Sequence, residues 1–136
     1  MEKEELLSIV TYRVDQAKGS IEESESHLKN GFLTTAMNRI YYAGFYIVSA
    51  LAALEDFPTA KHKQLIGWFN KEYLKTGKVD REVGKILRKA YDRRMAADYH
   101  DFVYLTRSQI DEYRIEMKKF IEEVHLIIQG KIAARK

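Results

Sequence analysis

Apolar residues recur at intervals of three and four along most of this chain, and five stretches read as helices. Between residues 3 and 29, Leu6, Leu7, Val10, Val14, Ala17, Ile21 and Leu28 fall on one face with charges between them, the signature of an amphipathic helix. Asn30-Gly31 supplies a left-handed stop, so the next helix, 32–55, should fold back as the second arm of an antiparallel hairpin. That second stretch has a different pattern. From Ile40 to Leu54 it carries no charge over 15 residues, and its apolar side chains fall on every side of the turn. A helix of that kind is covered by neighbours all round, which makes it the central element. Asp56-Phe57-Pro58-Thr59 ends it, because proline disfavours helical geometry in the residue before it.

A third helix is predicted over 61–76 with Leu65, Ile66, Phe69 and Tyr73 inward and Gly77 as its stop. A fourth, 80–99, starts at the N-cap residue Asp80 and keeps Val83, Ile86, Leu87, Ala90 and Tyr91 on one face. Thr106 and Gln109 form a capping-box pattern ahead of a fifth helix, 106–133, whose stripe is Ile110, Tyr113, Met117, Phe120, Ile121, Val124, Ile127 and Ile128. No β-hairpin signal interrupts the series. The fold class is all-α: an antiparallel up-and-down bundle of four principal helices plus a shorter one, expected as one domain over residues 1–136.

Composition narrows the function classes. The absence of cysteine excludes disulfides, thiolate nucleophiles and zinc-finger sites. The uncharged run of the second helix is shorter than the roughly 20 residues that span a bilayer, and the acidic, amphipathic start of the chain lacks the layout of a signal peptide. A soluble, cytoplasmic protein without membrane association is the expectation. The net charge of +3 conceals an asymmetry: residues 1–30 hold four Lys/Arg against seven Asp/Glu, whereas residues 61–94 hold eleven against four. Such a basic segment can attract phosphate backbones, and it can equally form a solvated helical face.

The residue that departs most from its surroundings is Arg94. On a helical wheel it lies near the centre of the stripe set by Val83, Leu87 and Ala90, so a guanidinium points into an apolar face. Asp98, one turn on, is its local partner in one reading, with Tyr99 packing and His100 an ordinary turn residue. In the other, Arg94 and His100 form a site for phosphodiester chemistry, the imidazole acting as acid or base and the guanidinium stabilising charge on phosphorus. On a continuous helix the two lie about 120° apart, so they meet only through a bend or across a dimer; Arg93 shares the face of His100 instead. Polar Asn38 and Arg39 at the start of the buried helix, with Tyr42, predict a polar network in or beside the core. His62, at the start of the third helix, reads as a capping or surface histidine. Only Glu122–His125 has the Glu-x-x-His spacing of a di-iron bundle, so no metal site and no cofactor are expected.

Asn38-Arg-Ile-Tyr-Tyr-Ala43, then Lys61-His-Lys-Gln-Leu-Ile66, then Arg94-Met-Ala-Ala-Asp-Tyr99, in that order, resemble the HEPN family over almost the whole chain. The resemblance is greatest to its branch of small stand-alone prokaryotic proteins. It implies an antiparallel helical bundle that forms a homodimer, with an arginine and a histidine separated by four to six intervening residues near the subunit interface. Arg94 and His100, with five residues between them, match that spacing. Many members so equipped are metal-independent RNA endonucleases, often toxins paired with a minimal nucleotidyltransferase antitoxin; others bind a nucleotide or a partner without catalysis. By this likeness Arg94 and His100 are the catalytic pair and Asn38, Arg39, Tyr42, His62, Asp98 and Tyr99 the binding and supporting residues, to which Arg93 is added for the helix face it would share with His100. The sequence departs from the nuclease pattern at Met95, where active members commonly carry a polar residue.

Overall fold

The computed structural model describes residues 2–57, 59–99 and 105–135, with the backbone alone at 97–99. The helices are α1 (Lys3–Lys29), α2 (Leu33–Leu54), α3 (His62–Phe69), α4 (Arg81–Gly84), α5 (Ile86–Tyr99) and α6 (Arg107–Ala134). No strand occurs among the described residues, in agreement with the all-α bundle. Helix α2 packs against α1, α3, α5 and α6, which makes it the axis of the structure. Ile40, Tyr41, Ala43, Ile47, Val48, Ala50 and Leu51 along it are wholly excluded from solvent.

Local signals set the turns around that axis. At the end of α1, Gly31 takes φ 79° while its N–H donates to the Leu28 carbonyl and that of Phe32 to the His27 carbonyl, the paired bonds of a Schellman motif. The end of α2 repeats the motif with Asp56 at φ 57°, a conformation that aspartate tolerates better than most side chains. Asp80 accepts from the N–H of Glu82, and Thr106 and Gln109 form the reciprocal capping box.

Two predicted helices are interrupted. The third changes after Phe69 to a π-helical turn over residues 70–74, closed by the Lys75 N–H donating to the Asn70 carbonyl. The longer turn keeps both Phe69 and Tyr73 in the core, their rings nearly parallel at 5.5 Å, and brings the Tyr73 hydroxyl to Glu55. Glu55 also pairs with Lys131 at 3.3 Å, and Arg135 donates to the Leu54 carbonyl, so one end of the bundle is tied by polar contacts among α2, the π turn and α6. The fourth predicted helix breaks at Lys85. Gly84, just before the break, is buried against Leu74, and a Cβ there would run into that side chain. The fit against the π turn sets the chain's course at this point, while the Lys85 N–H donating to the Arg81 carbonyl and the Lys89 N–H to the Lys85 carbonyl carry the coil across.

One expectation about α2 needs correction. It is not covered all round: Asn38, Arg39, Tyr42, Tyr46, Ser49 and Ala53 stay half-buried. These residues recur at helical spacing, so they form one strip left partly open by the surrounding helices. The polar network at Asn38 and Arg39 therefore lies beside the core and not within it. No described helix is long and apolar enough to cross a membrane.

Candidate functional site

The partly open strip on α2 meets the C-terminal half of α5, and the aromatic motif of α2 dictates what gathers there. Tyr41 and Tyr42 are adjacent, so on a helix their rings point about 100° apart: Tyr41 is fully buried and Tyr42 half-buried. Arg94 reaches both from α5, its Cζ 5.5 Å from the Tyr41 ring centroid and 5.0 Å from that of Tyr42. The inward direction read from the helical wheel is thus realised, with the guanidinium seated on aromatic rings. Arginine suits such a seat because its flat, weakly hydrated cation stacks on π-faces.

Arg39 approaches the same Tyr42 ring from within α2, at 5.2 Å, and is oriented by its neighbour: Nη2 and Nε donate to Asn38 Oδ1 at 2.9 and 3.3 Å. Glu23 of α1 lies 4.0 Å from Arg39 Nη1. Two guanidiniums therefore converge on one half-exposed tyrosine. The arrangement offers paired guanidinium donors of the kind that match phosphate geometry.

His62 joins this cluster, contrary to the expectation of a surface or capping histidine. Its ring stacks on Phe45 at 4.2 Å and 16°, meets Tyr42 edge-on, and its Nδ1 lies 2.5 Å from the Tyr41 hydroxyl. Burial, followed by the nearby positive charge of Arg94, holds the imidazole pKa below its ordinary value of 6.5. Burial also pushes the Tyr41 hydroxyl far above its ordinary 10, against a smaller opposing pull from Arg94. With both groups neutral, the Nε2–H tautomer of the imidazole lets Nδ1 accept from the phenol. His62 also walls a groove of about 540 Å³ shared with Ile9, Arg13, Phe45, Ser49 and Thr59.

The structure thus brings together Asn38, Arg39, Tyr42, His62 and Arg94. It does not bring Arg93 to them: this side chain turns toward α6 and donates to the Tyr113 hydroxyl at 3.0 Å. The side chains of Asp98 and Tyr99, and all of His100, lie outside the described residues, and with them the Arg94–Asp98 and Arg94–His100 pairings. Tyr41 and Phe45 are members that sequence reasoning missed. A tyrosine within a long uncharged run is a signal in itself, since a buried hydroxyl needs a partner, and only the fold reveals that His62 supplies it.

The other histidine with a perturbed environment, His125, lies in a separate groove of about 240 Å³ between α1 and α6 with Lys18, Glu22, Arg114, Lys118 and Glu122. Its pKa is lowered by burial and by Lys18, against an opposing effect of Asp15. Among the described residues, no three of His, Asp and Glu gather where they could hold a metal ion.

Comparison with known proteins gives a consistent family. The model of the family described as HEPN domain matches residues 10–129. A UPF0332 protein of Thermotoga maritima is 33% identical over 121 residues, covering 89% of this chain and 92% of its own. A protein of Methanocaldococcus jannaschii named "Putative toxin" is 32% identical over 98 residues, covering 72% of this chain and 67% of its own. A second protein of that organism with the same designation is 27% identical over 86 residues, covering 63% and 64%.

Proposed function

Because this chain belongs to the HEPN domain family, we propose that it is an RNA-directed protein of toxin type, acting as a metal-independent endoribonuclease. The observation that carries this reading is the seat of Arg94: a guanidinium held on Tyr41 and Tyr42, with Arg39 on the same ring, at the end of the helix that leads to His100. In the reaction, the 2′-hydroxyl of one nucleotide attacks the adjacent phosphorus and the 5′-oxygen of the next leaves. His100 takes the proton of the attacking hydroxyl or supplies the one the leaving oxygen needs, and Arg94 stabilises the extra negative charge in between. Asn38 orients Arg39, and Tyr42 provides the stacking surface.

A second reading is favoured by Met95. Where catalytic relatives commonly carry a polar residue, Met95 packs partly buried against the core. On that reading the same cleft holds a nucleotide or a nucleotidyltransferase partner and turns nothing over. Incubation of the protein with total RNA in chelator separates the two. Cleavage by the wild type that leaves 2′,3′-cyclic phosphate ends and disappears in His100→Ala at matched folding is the expected result. Equal degradation by both would assign the activity to a contaminant or another site. Binding without cleavage would favour the module.

The same proposal includes a homodimer, supported by membership of a family whose bundles pair near the Arg–His motif. A second copy packed at the edge of the α2 strip, leaving Tyr42 open, would bring the Arg94 side chains of both subunits toward one cleft. Light scattering over a concentration series should give twice the 15.9 kDa of the chain. A monomer at every concentration would remove the composite cleft.

A further inference from the structure

The contact between Tyr41 and His62 has no role in the reaction proposed above, yet it lies directly beneath its arginine. Tyr41 is wholly buried, and the hydrogen-bond partner of its hydroxyl comes from a residue 21 positions away on another helix. Leaving a buried hydroxyl without that acceptor costs about 1–3 kcal/mol, so the bond fixes the rotation of the phenol. The imidazole is itself fixed, stacked on Phe45 and edge-on to Tyr42. Tyr91 of α5 closes the other side, 5.5 Å from Tyr41 and 6.4 Å from His62. The guanidinium of Arg94 then rests on the two rings that this arrangement holds still.

We propose that His62 is a positioning residue for Arg94: by accepting the Tyr41 hydroxyl and stacking on Phe45, it locks the aromatic seat from which the guanidinium meets an RNA phosphate. This rests on the function proposed above for Arg94. It adds that the site extends through a buried phenol to the start of α3. Because a displacement of about 1 Å in a group that meets the transition state can cost on the order of 100-fold, loosening the seat should be felt in turnover or affinity even though His62 touches no reacting atom.

The groups facing His62 are Tyr41 and Tyr42 from α2, Tyr91 and Arg94 from α5, and Arg13 of α1 across the groove, with Lys61 and Lys63 flanking it in sequence. Its folded pKa lies below the unfolded one, so the folded state resists its protonation. The stability it contributes is therefore present above about pH 6.5 and is lost as the pH falls further.

The test combines a measurement on the free protein with one on RNA. In ¹⁵N NMR of the wild type, His62 should appear as the Nε2–H tautomer and titrate below 6.5, and in Arg94→Gln its titration should move upward. If Arg94→Gln leaves the titration unmoved, imidazole and guanidinium do not share a seat and the proposal is overturned, whatever the protein does to RNA. In the RNA arm, His62→Ala should lower kcat/KM, or weaken binding if no cleavage occurs, by about 10- to 100-fold. His62→Asn, which keeps an acceptor near the place of Nδ1, should restore most of it and soften the acid limb of the stability profile. Adding His62→Ala to Arg94→Ala should cost nothing further, because one acts through the other. Losses that multiply in the double variant would overturn positioning, as would a folded His62→Ala protein with wild-type RNA activity. Failure of the wild type to bind or cleave any RNA would remove the proposed function and leave the NMR arm to decide the contact.

Discussion

Leu51→Asp unfolds the protein. Leu51 lies on the wholly excluded part of α2, the helix against which α1, α3, α5 and α6 all pack. A carboxylate there faces apolar neighbours, and an unpaired buried charge costs several kcal/mol, comparable with the 5–15 kcal/mol that holds a typical domain together. The loss of leucine packing adds about 2–5 kcal/mol by analogy with truncation in a core. Circular dichroism should show no cooperative melt, or one displaced by tens of degrees. A melting temperature within a few degrees of wild type would mean that α2 is not the buried axis.

The second large effect is on function. Arg94→Ala should reduce RNA cleavage or binding about 100-fold, the usual scale for removing one preorganised charge stabiliser from a reacting centre. It should do so with a small change in stability, since cation–π contacts at a half-buried site are worth about 0.5–2 kcal/mol. Arg94→Lys should recover little. An ammonium keeps the charge but lacks the plane that rests on Tyr41 and Tyr42 and the paired donors that match a phosphate. Full activity in Arg94→Lys would mean that charge alone matters and that the aromatic seat is packing.

How far each feature was legible in the sequence depends on how local its cause is. The end of α1 and the start of α6 were readable because Asn30-Gly31 and the Thr106/Gln109 box act within one turn of themselves, whereas the end of α2, read from Pro58, is made by the left-handed turn at Asp56. The π turn after Phe69 was not, because the Tyr73–Glu55 contact joins residues from different helices. Nor was the break at Lys85, which follows from a glycine chosen for its fit against Leu74. The same division runs through the site. Arg94 declared itself by violating the periodicity of its own helix, whereas Tyr41 obeyed the apolar pattern of its helix and so concealed that its hydroxyl reaches His62. Reading α2 as buried on every side failed for a related reason: tyrosines and alanines count as apolar, and periodicity cannot tell a covered strip from one left half-open.

The central claim is that RNA is engaged at the junction of α2 and α5, on Tyr42 and Arg94. Photo-crosslinking of a 4-thiouridine-containing RNA, followed by mass spectrometry of the linked peptides, measures this directly. The expected result is adducts on the segments around Tyr41–Phe45, His62 and Arg94, lost on Arg94→Ala. Adducts confined to the α1–α6 groove around Lys18, Lys118 and His125, undiminished by Arg94→Ala, would contradict it.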